Sequence, residues 1–117
     1  MKDLPNAEIQ ALLAELWQKN IPLFRQRLNA LEHAASIVST GPLPEEARVT
    51  AQAEAHKLAG SLGMFGHHQA GDIALEIETI LKTPEPERFP DIPELVGRLG
   101  SILAPHLKPN KRATGSE

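Results

Sequence analysis

The sequence has no cysteine and very few aromatic residues. The absence of cysteine excludes disulfide bonds and thiolate chemistry. Aromatic residues make up 3% of the chain, so the core must be built mainly from Leu, Ile, Val and Ala. No apolar run approaches the roughly 20 residues of a membrane span, and the N-terminus lacks the apolar stretch of a signal peptide. We therefore expect a cytoplasmic protein with no membrane partner.

An excess of positive charge is also missing. The formal net charge is −3 and the isoelectric point is about 5.9. A general nucleic-acid binder needs a basic face that neutralises phosphates, so no nucleic-acid partner is expected, although a local basic patch remains compatible with this composition. The length of 117 residues fits one domain with one modest core. We expect the domain over residues 1–107 and a polar, disordered tail or linker over 108–117.

The pattern that is present is helical periodicity. Pro22 lies between the first two apolar stripes, where it either separates two helices or kinks one long helix. The kinked, nearly continuous helix is slightly favoured. The first stripe consists of Ile9, Leu12, Leu13 and Leu16, and the second of Phe24, Leu28, Leu31, Ala35 and Val38.

Three more helices follow the break at Thr40-Gly41-Pro42. Gly66 is expected to end the first of them, because glycine favours the left-handed conformation that closes many helices. Short connections between amphipathic helices favour an all-α fold, an antiparallel four-helix bundle with an additional or kinked N-terminal helix. The predicted segments are helices over about 44–65, 67–82 and 92–103, with a proline-rich connection over 83–93.

The segment AEAHKLAGSLGMFGHH, residues 53–68, carries the most informative pattern. At about 100° per residue, Leu58, Leu62 and Phe65 lie about 180 to 240° from His56 around the helix. The apolar stripe is thus opposite His56, which predicts that this histidine points to solvent. Its own face is formed mostly by small residues: Val49, Gln52, Ala53, Ala59, Gly60 and Gly63.

Two glycines on one helix are unusual, since each costs about 1 kcal/mol relative to alanine. Gly60 and Gly63 lie on the side of His56, away from the apolar stripe, which argues against a role in packing two helices within the core. A low face of this kind lets another surface approach an exposed imidazole. Neutral imidazole carries a free nitrogen lone pair and forms covalent intermediates, and in-line phosphoryl transfer requires an accessible nucleophile. The arrangement therefore suits phosphoryl transfer, although an exposed histidine taken alone is more often an ordinary surface residue.

The stretch AHKLAGSLGMFG also resembles the signature of histidine phosphotransfer (HPt) domains, His-x-Leu-Lys-Gly followed by a further glycine. The residues that fit are His56, Leu58, Gly60, Gly63 and Gly66. The resemblance extends over roughly residues 7–104 and is specific only within 55–66. It implies that His56 accepts a phosphoryl group at Nε2 in a two-component phosphorelay.

By the same resemblance, the partners are a response-regulator receiver domain, a histidine kinase, or both. The Mg²⁺ for the transfer is then expected in the receiver domain, with no cofactor in this chain. The chain has no Gly-rich ATP-binding segment, so we expect a phosphocarrier without kinase activity of its own. As an isolated domain it is expected to be a monomer.

One position departs from the family pattern. The residue three positions after the histidine is often lysine, which helps to hold the phosphoryl oxygens, whereas here it is Ala59. Lys57 and Gln52 are the candidates for this role. The predicted partner-docking face comprises Val49, Ala53, Ala59, Gly60 and Gly63.

Three alternatives remain open from the sequence. The first is an HPt-like bundle that does not transfer phosphoryl groups and acts as a docking adaptor, and the second is a structural or dimerising bundle. The third is a metal site formed by His67, His68 and Asp72, but this set lacks the fuller ligand set of zinc, so no metal is expected. Glu76 and Glu78 are not expected to act as paired catalytic carboxylates without a pocket.

Overall fold

The computed structural model describes residues 6–82 and 86–108 as an all-helical bundle without strands. The four helices are α1 (Asn6–Thr40), α2 (Glu45–Met64), α3 (His68–Lys82) and α4 (Asp91–Leu103), and short 3-10 segments cover Pro86–Arg88 and Ala104–His106. The predicted all-α class is therefore confirmed. The predicted tail lies outside the described residues apart from Lys108.

The helices follow one another around the bundle in chain order. α1 packs on α2, α2 on α3, α3 on α4, and α4 returns to α1. The short connections make consecutive helices antiparallel. The core between them is almost entirely aliphatic, as the composition requires, and its fully buried side chains include Leu31, Leu58, Leu62, Ile77, Leu81, Leu99 and Leu103.

α1 is a single helix of 35 residues that continues through Pro22. Proline removes one backbone hydrogen bond and crowds the preceding turn. Its ring lies on the exposed side of α1, while Ile21 and Phe24 on either side of it are buried. Packing of these neighbours offsets the local cost, so the alternative with two separate helices does not occur.

The first part of α1 extends beyond the bundle. Its apolar stripe was expected to face the core, but Ile9, Leu12 and Leu16 are 39%, 56% and 39% exposed. The first buried side chain along α1 is Trp17. The expectation of burial is wrong for these three residues, whereas Leu13 is half-buried. The reason is that α1 has 35 residues and α2 only 20, so the other helices are too short to cover this end. At about 1.5 Å per residue the difference is more than 20 Å.

Gly66 ends α2 and starts the turn into α3, as the sequence predicted. Its φ of 85° is left-handed, a region that glycine adopts without strain. The Gly66 N–H donates to the Gly63 carbonyl at 3.1 Å, and the His67 N–H donates to the Leu62 carbonyl at 2.9 Å. These two bonds form a Schellman motif, which closes the helix within one turn. α3 therefore starts directly beside the end of α2.

The connection before α4 is shorter than predicted. The irregular segment was expected to extend to residue 93, but a 3-10 segment forms at Pro86–Arg88 and α4 already begins at Asp91. Pro93 thus lies in the first turn of α4, where a missing backbone N–H costs little. Arg88 holds this corner together, since its guanidinium lies 3.3 Å from Glu76 and 3.5 Å from Asp91.

Candidate functional site

His56 lies in the middle of α2, on the side away from the core. Its side chain is 74% exposed, which confirms the orientation predicted from the helical projection. The buried residues of α2 occupy the opposite face, namely Ala51, Ala55, Leu58 and Leu62. The imidazole is therefore accessible to another protein without any rearrangement of the bundle.

The imidazole is held from α3 by Glu78. The His56 Nδ1 lies 2.9 Å from the Glu78 Oε2. A carboxylate only accepts hydrogen bonds, so Nδ1 carries the proton in this pair. In a neutral imidazole the lone pair then resides on Nε2, the nitrogen that the carboxylate does not contact. The contact therefore selects one tautomer and orients the ring.

Glu78 is unusual among the acidic residues of the chain. It is 8% exposed and is the one buried charged side chain within the described ranges. Burying a carboxylate is costly unless it is paired and hydrogen-bonded. Its partner is a largely exposed histidine, so the bundle holds a carboxyl group directly beneath an exposed imidazole. We regard this as the central feature of the site.

Sequence reasoning missed Glu78 because it considered Glu76 and Glu78 as a pair of carboxylates. The structure separates them, since Glu76 is exposed and contacts Arg88. A signal was nevertheless present in the sequence. Glu78 lies four residues after Ala74 and eight after Ala70, both buried, so it is an acidic residue in an inward-facing row.

Lys57 and Gln52, the two candidates for stabilising a phosphoryl group, both have other partners. The Lys57 Nζ lies 3.6 Å from the Glu54 Oε2, and Arg27 approaches the other oxygen of this carboxylate at 3.7 Å. The Gln52 Oε1 accepts a hydrogen bond of 3.3 Å from Arg48. Arg48 also donates to the Leu81 carbonyl at 2.5 Å, so its guanidinium is tied to the end of α3.

The predicted docking face is open at most of its positions. Val49 is 49% exposed, Ala53 is exposed, and a Cβ added at Gly60 or Gly63 would meet no atom within 4 Å. Ala59 differs from the others, because it is half-buried and packs against the core.

Ala59 belongs to the contact between α2 and α3. A Cβ added at Gly71 would lie 3.5 Å from both the Ala59 carbonyl oxygen and the Gly63 nitrogen. Gly71, which was not singled out from the sequence, is thus the point where α3 lies against the backbone of α2, with room for no more than a small side chain. This close approach lies on the same pair of helices that brings Glu78 to His56.

Two exposed apolar side chains border the same face and were also missed. Met64 is 67% exposed and Leu75 is 52% exposed. Met64 lies about 80° from His56 around α2, and Leu75 lies one turn before Glu78 on α3. Together with Val49 they place apolar side chains around the imidazole, which suits the docking of another protein.

The residues proposed for a metal site do not form one. His67 stacks on Trp17 with a centroid distance of 4.5 Å and meets His106 at 4.7 Å. Burial, followed by the charges of His106 and His68, lowers the pKa of His67 below its usual value. Within residues 6–82 and 86–108, no group of three His, Cys, Asp or Glu side chains is arranged to hold a metal ion.

Comparison with known families gives one clear match. The model of the Hpt domain matches residues 7–104, which is most of the chain. Comparisons with curated proteins and with solved structures gave no significant match. Over the described residues, no helix is both long enough and apolar enough to cross a membrane. The chain therefore belongs to the Hpt domain family, whose members act in histidine phosphotransfer in two-component systems.

Proposed function

We propose that His56 is the phosphoacceptor and relays a phosphoryl group between receiver-domain aspartates. The observation that carries the proposal is the pairing of an exposed imidazole with the buried carboxylate of Glu78 at 2.9 Å. Such a pair leaves Nε2 with the lone pair and keeps the ring in one orientation. Positioning of this kind is the main contribution a protein makes to phosphoryl transfer.

The transfer requires no proton to leave the imidazole. The Nε2 lone pair forms a bond to phosphorus, the bond between phosphorus and the aspartyl oxygen breaks, and that oxygen retains the electron pair as a carboxylate. The proton on Nδ1 stays in its hydrogen bond with Glu78, so the positive charge that develops on the ring faces a negative one. Transfer to the next aspartate reverses these steps.

Lys57 is the better of the two candidates for holding the phosphoryl oxygens. Its ammonium contacts Glu54, but the Lys57 side chain is 52% exposed. Exposed ion pairs contribute only about 0 to 1 kcal/mol, so exchange of this contact for a phosphoryl oxygen costs little. Gln52 instead has its amide oxygen on Arg48, which leaves its NH₂ group available as a donor.

The partner we propose is a receiver domain, a histidine kinase, or both. The open face around His56 supports docking, since Gly60 and Gly63 present no side chain and Val49 is exposed. We place the Mg²⁺ of the reaction in the receiver domain, where it would neutralise charge on the transferring group.

Phosphotransfer from a radiolabelled receiver tests the proposal. The wild type should gain acid-labile phosphate and His56→Gln should gain none, while His68→Gln, a change at another exposed histidine, should behave as the wild type. Labelling of His56→Gln at the wild-type level would exclude His56 as the acceptor.

The alternative of an inactive docking adaptor has one observation in its favour, namely Ala59 at the position where the family often has lysine. The same experiment separates the two functions. A receiver that binds this chain, measured by calorimetry, but never loses its phosphoryl group to it would support the adaptor and contradict the relay.

A further inference from the structure

The exposed apolar residues of α1 form a regular stripe. Ile9, Leu12, Leu16 and Leu23 are the exposed large hydrophobic residues of this helix, at 39%, 56%, 39% and 39%. Their spacing of three, four and seven residues is that of the a and d positions of a coiled coil, and Lys19 occupies the remaining d position. Such a spacing is typical of a face that packs against another helix.

This stripe lies on one flank of α1, beside the face that packs into its own bundle. The core residues of the same helix include Trp17, Phe24, Leu28 and Leu31. At about 100° per residue, the centre of the stripe lies about 100° around the helix from the centre of these residues. A helix packed on the stripe would therefore lie beside the bundle, on side chains that its own helices leave exposed.

The start of α1 is anchored to the bundle at Trp17, but the residues before Trp17 are not packed against the core. Trp17 packs on Phe24 with a centroid distance of 4.5 Å, and its Nε1–H donates to the His106 carbonyl at 2.6 Å. The part of α1 before Trp17, Asn6–Leu16, has no buried side chain among its described residues. These residues continue a helix that is packed from Trp17 onward, but they add no buried side chain of their own, and most helical stability in proteins comes from packing of an amphipathic face. The segment is thus expected to gain stability from a second helix.

The charges along the stripe indicate which helix fits. In a parallel pair of identical chains, the two Lys19 ammonium groups would face each other at a d position and repel. In an antiparallel pair, Leu12 of one copy lies opposite Leu16 of the other, and Ile9 lies opposite Lys19. The Lys19 stem then covers Ile9 while its ammonium approaches Glu8 of the second copy.

We propose that two copies of this chain pair through the α1 stripe as a short antiparallel coiled coil. The proposal replaces the monomer expected from the sequence. It does not depend on the phosphotransfer function, because the stripe belongs to α1 whereas His56 lies on the face formed by α2 and α3. The interface is short, so we expect weak pairing that is populated only at high protein concentration.

Sedimentation equilibrium over a range of concentrations tests the pairing. The wild type should approach dimer mass at millimolar concentration, and Leu12→Glu should raise the dissociation constant at least about tenfold. Leu75→Glu is the matched control, since Leu75 on α3 is 52% exposed and Leu12 is 56% exposed. It should dimerise as the wild type does.

Cysteine cross-linking tests the orientation, and the chain has no native cysteine to interfere. Leu12→Cys and Leu16→Cys are purified separately, one with an affinity tag, mixed and oxidised. An antiparallel pair should give the mixed disulfide, whereas a parallel pair would link each variant to itself and overturn the orientation.

Two other outcomes would overturn the proposal as a whole. One is a wild type that stays monomeric at 1 mM, which would assign the stripe to a helix of a different protein. The other is a dimer that persists unchanged in Leu12→Glu although circular dichroism shows the helices intact, which would place the interface elsewhere.

Discussion

His56 and His67 are only eleven residues apart, yet the bundle gives them opposite environments. His56 is exposed and is held at one nitrogen by a buried carboxylate. His67 is half-buried between Trp17 and His106, where burial and neighbouring positive charge lower its pKa. The comparison shows that the surroundings set the state of each histidine: a carboxylate partner orients an exposed ring, whereas an aromatic cluster favours a neutral, packed one.

The largest expected effect is a loss of stability on changing Trp17, which packs against His67. Trp17→Ala removes contacts with Phe24, Phe65 and His67 and the hydrogen bond to the His106 carbonyl. We expect a loss of about 3 to 5 kcal/mol in the free energy of unfolding, measured with urea. Under conditions where the variant remains folded, its phosphotransfer rate should be close to that of the wild type. A large loss of transfer in the folded variant would contradict the separation of the two regions.

Changes at Glu78 test the surroundings of His56. Glu78→Gln removes the charge that faces the imidazole and should lower the transfer rate by about 10- to 100-fold, the range typical of carboxylates that orient histidine ligands at metal sites. Glu78→Leu should lower transfer similarly without lowering stability, because replacing a buried charge by an apolar group is often neutral or stabilising. A merely structural Glu78 would give the reverse: a less stable protein with an unchanged transfer rate.

The pH dependence of stability tests the surroundings of His67. The pKa of His67 is lower in the folded protein than the usual value near 6.5 in the unfolded chain, so the unfolded state binds more protons as the pH falls. The contribution of His67 is therefore fully present above about pH 6.5 and is lost as the pH falls below that value. Urea midpoints measured at pH 7.5 and 5.5 should differ less in His67→Gln than in the wild type. An equal difference in both proteins would exclude His67 as a source.

The smallest expected effect concerns Lys57. If its ammonium helps to hold the phosphoryl oxygens, Lys57→Ala should slow transfer by less than about tenfold, since the group is exposed and flexible. Lys19→Ala is the matched control, because its side chain is 69% exposed and also pairs with a glutamate on its own helix. Equal rates for both variants would direct attention to Gln52.

Much of the fold follows from local pattern. The helical periodicity identified the helices, Gly66 identified the end of α2, and a projection around one helix was enough to place His56 at the surface. Each of these depends on residues within a few turns of one another. The prediction of the connection before α4 was less accurate, because its 3-10 turn carries no apolar periodicity.

Features that depend on two helices could not be obtained in this way. The contact between His56 and Glu78 depends on the relative register of α2 and α3, and the position of Gly71 against the backbone of α2 depends on the distance between the two helices. The stripe containing Leu12 shows a related limit, because amphipathicity predicts that a face is apolar but does not specify what covers it. Ala59 was placed on the docking face for the same reason, although it packs at the boundary with α3.

The turn at Gly66 has a consequence for how this protein can evolve. It separates His56, ten residues before it, from Glu78, twelve residues after it, by a fixed number of residues. One residue inserted into α2 after His56, or into α3 before Glu78, would rotate one side chain by about 100° relative to the other, even if both helices remained intact. Selection for phosphotransfer would then tolerate many substitutions on the surface of these helices but almost no insertion or deletion between the two residues.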